Sequence, residues 1–229
     1  MGTPVHVFGE EKCVESPYVN YSEFFRNPLT FAALEKIAVP ELVRKARKAG
    51  RRELRIWSAG CAAGQEAYSI AMVIEELLEK TSQAFDYRIF ATDACEAHVS
   101  LARAGVFGPD TLGNVGLKRL DRWFSRAGAR YTVSPALAKH VAFSVFNVFE
   151  NALSSPPESI FGNFDLVLCC NVLFYYKTGP REKILDKLAA GLGPGAYLVT
   201  GETERGFIME NGFRELFPES AVFGKILET

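Results

Sequence analysis

The run Leu54–Ala59 (LRIWSA) is apolar and of strand length, ends at Gly60, and after a second glycine at position 64 gives way to a segment of helical period. From Glu66 to Lys80, residues Ala67, Ile70, Ala71, Ile74, Leu77 and Leu78 share one helix face, so strand, glycine turn and helix follow without a break. Further apolar runs at Tyr87–Thr92, Val141–Val145, Asp165–Cys170 and Ala196–Gly201 alternate with helical segments, and Val222–Leu227 reads as a last, antiparallel strand. This alternation predicts an α/β protein with a mostly parallel, Rossmann-like sheet. Residues 107–140 are less regular, and RYTV after a glycine turn predicts a small inserted hairpin lobe. A chain of 229 residues with 48% hydrophobic content can bury one sizeable core. We expect a single domain over residues 20–229, preceded by an arm at 1–19.

Lys and Arg total 26 against 27 for Asp and Glu, a balance that argues against a general nucleic-acid binder. No run of about eighteen apolar residues appears, and no basic-then-apolar leader opens the sequence. A cytoplasmic protein without membrane insertion is expected. Cys13, Cys61, Cys95, Cys169 and Cys170 show no CxxC pair and no Cys/His ligand spacing, so reduced thiols and no metal are expected.

Glycines at 60 and 64 allow positive φ and close approach of a ligand to the backbone. They also suit plain packing of helix on strand, and the two readings stand side by side at this point. The spacing differs from GxGxxG, no P-loop lysine is present, and Glu66 on the first helical turn would repel phosphate. Such a carboxylate suits a cation or hydroxyl groups. A ligand that joins adenosine to a positive centre without phosphate is S-adenosylmethionine. Asp93, at the end of the second strand, stands where an acid can hold ribose hydroxyls. FDLVLCCNVLFYY carries Asn171 and a tyrosine pair to the end of another strand, and NYSEFFRNPLTF spaces Asn20, Ser22 and Arg26 over one or two helical turns. An N-cap at Ser22 with a solvated Arg26 is the simpler account of that last stretch.

Taken together, NYSEFFRNP, LRIWSAGCAAGQEAYSIAM, ATDACEAH, FDLVLCCNVLFYY and GPGAYLVTGETE resemble, in order, the catalytic domain of the CheR chemotaxis-receptor methyltransferases. The resemblance implies a class I methyltransferase fold and transfer of a methyl group from S-adenosylmethionine, leaving S-adenosylhomocysteine, to glutamate side chains on the cytoplasmic helices of chemoreceptors. It implies cofactor contacts from Asn20, Ser22, Arg26, Gly60, Glu66, Asp93, Asn147, Val148 and Asn171, with Tyr175 beside the transferred methyl. Arg26 and Tyr175 are then the candidate catalytic residues. Cys170 stands at a cofactor position where the family has arginine, Gln65 replaces the first carboxylate of the usual GEE, and GETE replaces GHSE. Few residues precede FFR, where the family carries a small helical domain that grips the receptor, and the short turn in AGARYTV implies independence of a receptor tether peptide.

Methyl transfer to a carboxylate needs alignment and desolvation more than a general base, since glutamate is ionised at neutral pH. His6, His98 and His140 are accordingly read as structural or surface residues, and the cysteine pair as core. The run Arg44, Lys45, Arg47, Lys48, Arg51, Arg52 and Arg55 reads as a solvated face or as a patch that receives an acidic helical substrate. Two other functions fit the same residues: a non-catalytic domain that binds the cofactor and signals, and a small-molecule carboxyl methyltransferase.

Overall fold

The computed structural model describes residues 22–81, 85–149, 153, 155–159 and 162–226. Helix α1 (Pro28–Ala33) passes through a π turn at Leu34–Ala38 into α2 (Val39–Lys48). Pro40 accounts for the wide turn, because it has no N–H to return to the carbonyl one turn earlier. There follow β1 (Glu53–Ala59), α3 (Gln65–Thr81), β2 (Asp86–Asp93), α4 (Glu96–Ala104), β3 (Val106–Phe107), α5 (Leu117–Trp123), β4 (Phe124–Ala127), β5 (Arg130–Val133), α6 (Pro135–Ala138) and β6 (Val141–Val145). The chain continues through β7 (Phe164–Cys169), α7 (Thr178–Gly191), β8 (Leu192–Thr200), α8 (Arg205–Glu210), β9 (Phe213–Glu215) and β10 (Val222–Lys225).

Seven strands form one sheet in the order β6-β2-β1-β7-β8-β10-β9. The first five are mutually parallel, and β10 runs antiparallel to both β8 and β9. The fold class is thus the α/β, Rossmann-like one expected, with its last strand reversed. Both faces of the sheet are covered, so the central strands are apolar throughout. Ile56, Ile89, Leu166 and Leu168 pack with the α1–α4 side, while Trp57, Phe90, Val167 and Leu198 pack with α7 and α8. Strand order reverses between β1 and β7, and the carboxyl ends of strands at such a reversal form a crevice open to ligands.

A second sheet, β3-β5-β4, is antiparallel and built around the turn between Ala127 and Arg130. Arg119 of α5 fastens this region to the main domain: its guanidinium bonds Glu76 at 2.8 Å and Glu35 at 2.8 Å and lies 4.5 Å from the Phe25 ring centre. Among the described residues no helix is long and apolar enough to cross a membrane.

Candidate active site

The ends of four neighbouring strands converge on the reversal. Gly60 follows β1 with φ +75°, and a Cβ there would fall 2.5 Å from Val172 Cγ2. Its N–H and that of Cys61 both donate to the Thr92 carbonyl, at 2.7 and 2.9 Å, which ties the glycine turn to the end of β2. Gly64, at φ +95°, brings the turn into α3. Between the glycines Ala62 also holds positive φ, as do Asn171 after β7 and Phe25 before α1. Such backbone is costly for side-chain-bearing residues and persists where surrounding contacts over-determine it.

Those contacts can be named. Asp93 accepts the Ala62 N–H at 2.8 Å on one oxygen and the Cys95 N–H at 2.9 Å on the other, with His98 Nδ1 3.3 Å away. The carboxylate so pins the glycine turn and still has lone pairs to offer a ligand hydroxyl. Its hydrogen bond raises the pKa of His98, so the histidine read as a bystander is attached to the candidate site. Phe25 donates its N–H to Ser69 Oγ at 3.0 Å, which holds the turn bearing Arg26 one helical turn along α3 from Gln65.

Glu66 is half-buried and accepts the Ser58 hydroxyl at 2.6 Å. Desolvation pushes its pKa up, hydrogen bonds from Cys170 and Ser58 pull against that, and the nearby Glu204 raises it further. The groups acting on it most strongly are therefore neutral or negative, a setting that a cationic ligand would relieve. Cys170, in its turn, is held well above the ordinary thiol range by desolvation and by Glu66. At neutral pH it is a protonated thiol that can donate to the carboxylate, and it is no nucleophile.

Glu204, missed as a structural residue by the sequence reading, organises the end of β7. It is 3% exposed and accepts the N–H groups of Leu173 at 2.7 Å, Gly201 at 2.7 Å, Asn171 at 3.1 Å and Phe174 at 3.3 Å. This clamp forms the bend that carries Asn171 and Tyr175. Tyr175 is 39% exposed, its ring centre 4.1 Å from that of Phe174.

Asn147 closes a local turn by accepting the Phe149 N–H at 3.0 Å, and Val148 beside it is buried, just past β6 and next to the end of β2. Ser22 is half-buried, and the N-cap of α1 is Asn27, so the simple capping account of Ser22 does not hold. Arg26 is exposed on the turn before α1. Asn20 lies outside the described residues. Cys61, Cys169 and Cys170 are free thiols, whereas Cys95 is in a disulfide. The expectation of reduced thiols fails at Cys95, the residue that precedes α4.

The basic run takes a different part from the one its charge suggests. Arg51 makes a two-pronged pair with Asp165 at 2.6 and 3.0 Å, and Lys45 bonds Glu41, Tyr197 and the Gly195 carbonyl. Residues 44–52 precede β1, at the opposite end of the sheet from the glycine turn. Arg51 and Lys45 are thus tied into the fold, and the run lies away from the strand ends that carry the candidate site.

Comparison with known proteins shows the family. The sequence is 34% identical over 199 residues to chemotaxis protein methyltransferase 1 of Pseudomonas aeruginosa, covering 85% of this chain and 69% of that protein. It is 32% identical over 194 residues to chemotaxis protein methyltransferase 1 of Vibrio cholerae, covering 83% and 66%. An uncharacterized 104.1 kDa protein of Rhodobacter capsulatus is 34% identical over 183 residues, which are 80% of this chain but 18% of that protein. Residues 20–221 match the family described as CheR methyltransferase, SAM binding domain, and the chain belongs to that family.

Proposed function

We propose that this domain methylates glutamate side-chain carboxylates of chemoreceptors or receptor-like signalling proteins, with S-adenosylmethionine as donor and no metal. The observation that carries the reading is Glu66, a half-buried carboxylate that lacks a cation among its strongest neighbours and stands at the strand reversal near Asp93 and Asn171. An amino-acid ammonium or a sulfonium fits against it, and the ribose fits against Asp93. Asn147 and Val148 flank the adenine in this reading, and Asn20, Ser22, Gly60, Cys170 and Asn171 complete the contacts. The domain spans residues 20–229 with the inserted lobe at 107–140. It works in the cytoplasm, on receptor helices rather than nucleic acid, and the short turn at Ala127–Arg130 fits independence of a tether peptide.

The donor supplies an electrophilic methyl on a positively charged sulfur. As the carboxylate oxygen bonds to that carbon, the carbon–sulfur bond breaks and its electron pair stays on sulfur, leaving a neutral thioether. No proton moves, so the chain needs no base. Arg26 holds a carboxylate in line, and the Tyr175 hydroxyl orients the attacking oxygen. The test is transfer of tritiated methyl from S-adenosylmethionine to a panel of receptor cytoplasmic fragments, with a chelator present. Base-labile counts, which mark a carboxyl ester, are expected. Counts that are base-stable, or that vanish in chelator and return with a divalent ion, overturn the assignment.

Cofactor affinity should also depend on pH through Glu66. A cation seated on Glu66 lowers its pKa, whereas desolvation raises it in the free protein. Binding releases a proton between those two values, so affinity is full above the raised value and falls as pH drops through it. Calorimetry with S-adenosylhomocysteine is expected to show weaker binding just above the ordinary carboxylate range than at neutral pH. Glu66→Gln should bind more weakly and flatten the profile; a flat profile in the unmodified chain removes Glu66 from the cation site.

A further inference from the structure

The turn that carries Arg26 is built from the two phenylalanines before it, and the inserted lobe grips both. Phe24 is fully buried, donates its N–H to the Thr111 carbonyl at 3.0 Å, and meets Phe107 of β3 and Phe124 of β4 edge-on, with ring centres 4.8 and 5.3 Å away. Phe25 is 4% exposed and holds φ +52°, a region that a bulky side chain enters only where its surroundings over-determine it. Its N–H is taken by Ser69, its ring lies edge-on to Phe31 at 5.0 Å, and the Arg119 guanidinium of α5 lies 4.5 Å from the ring centre. That guanidinium is itself fixed, because it bonds Glu76 of α3 through Nε at 2.9 Å and Nη2 at 2.8 Å, and Glu35 after α1 at 2.8 Å. Arg26 is the next residue and is exposed, so the Phe25 backbone sets the direction in which it leaves the turn.

We infer that Arg119 is a positioning residue for methyl transfer: through the Phe25 ring it holds the backbone conformation from which Arg26 reaches the reacting groups. The inference rests on the role given to Arg26 above and adds a residue that acts only through another. Without the guanidinium, the Phe25 ring loses the cation over its face, and its backbone is free to return to the ordinary φ region. The chain then leaves the turn in a different direction and takes Arg26 with it. Because Arg119 comes from α5 and the partners of Phe24 from β3 and β4, the lobe is part of the frame that aims Arg26.

The test is a double-mutant cycle on the full chain, read by calorimetry with S-adenosylhomocysteine so that it does not depend on the protein substrate. At a temperature where thermal unfolding shows every variant folded, Arg119→Met is expected to weaken binding roughly tenfold, but by less than about twofold further when Arg26→Ala is already present. Methyl transfer to receptor cytoplasmic fragments should follow the same pattern. Arg51→Met removes a comparable two-pronged pair, with Asp165, at the far end of the sheet; it should lower the melting temperature and leave affinity within about twofold. Phe25→Leu takes away the ring, leaves the Arg119 ion pairs in place and should reproduce the Arg119→Met pattern, so it carries the test where Arg119→Met does not fold. Lower stability with unchanged affinity in these variants, or a loss just as large in the Arg26→Ala background, overturns the positioning role and leaves Arg26 in the site. Unchanged affinity in Arg26→Ala alone overturns the role of Arg26, and this inference with it. Failure of the unmodified chain to bind S-adenosylhomocysteine overturns the cofactor reading and both assignments.

Discussion

Glu204→Ala is expected to destabilise the domain by about 3–5 kcal/mol, the range for removing one side of a buried charged network. Four N–H groups, of Asn171, Leu173, Phe174 and Gly201, converge on this one carboxylate, and it is 3% exposed. Truncation leaves all four without their acceptor in a space too closed for bulk water. Burial raises the pKa of Glu204 while the four donors pull it down, so the donors are what keep a charge tolerable there. Glu204→Gln should recover only part of the loss, since one of its two ends becomes a donor facing donors. At a domain of this size the change corresponds to a fall in melting temperature of roughly 10 °C. A fall of under about 2 °C in thermal unfolding would show that the clamp is dispensable. Because Asn171 and Tyr175 ride on the clamped bend, cofactor affinity should fall with stability.

The sheet was legible because its strands are continuous apolar runs with both faces covered. Val141–Val145 was found at its observed limits, and β1, β2 and β7 within a residue at each end. The chain order of the motifs, and the acid at the end of β2, were readable for the same reason: they are local. What the sequence concealed depends on contacts between distant residues. Asn171 adopts positive φ, as asparagine commonly does, but nothing in the stretches around Phe25 or Ala62 announces it there. Phe25 needs Ser69 and Ala62 needs Asp93, partners separated by 44 and 31 residues. Arg51 and Lys45 looked like solvated or partner-seeking charges because Asp165 and Tyr197 are 114 and 152 residues away. Glu204 was read as one letter of a motif, since the backbone groups it holds at the β7 bend belong to another segment.

Tyr175→Phe is expected to slow methyl transfer roughly tenfold or more while leaving S-adenosylhomocysteine affinity within a few-fold, because an orienting hydroxyl acts mainly in the transition state. The ring is exposed, packs against Phe174 on the bend after β7 and is not part of the packed core. Arg26→Ala should reduce both binding and transfer, the latter on the order of a hundredfold, as a charge-assisted bond to a carboxylate is lost. The two variants separate catalysis from mere occupancy, which matters because Cys170 stands where the family resemblance implies arginine. The thiol there interacts with Glu66 and carries no positive charge, and this is what motivates testing a domain that binds the cofactor without using it. In such a domain, S-adenosylhomocysteine would bind, no receptor fragment would acquire base-labile counts, and Tyr175→Phe would have no rate to lower. If the unmodified chain labels a fragment and Tyr175→Phe labels it equally fast, the tyrosine is a surface aromatic and the attacking carboxylate is oriented by Arg26 alone.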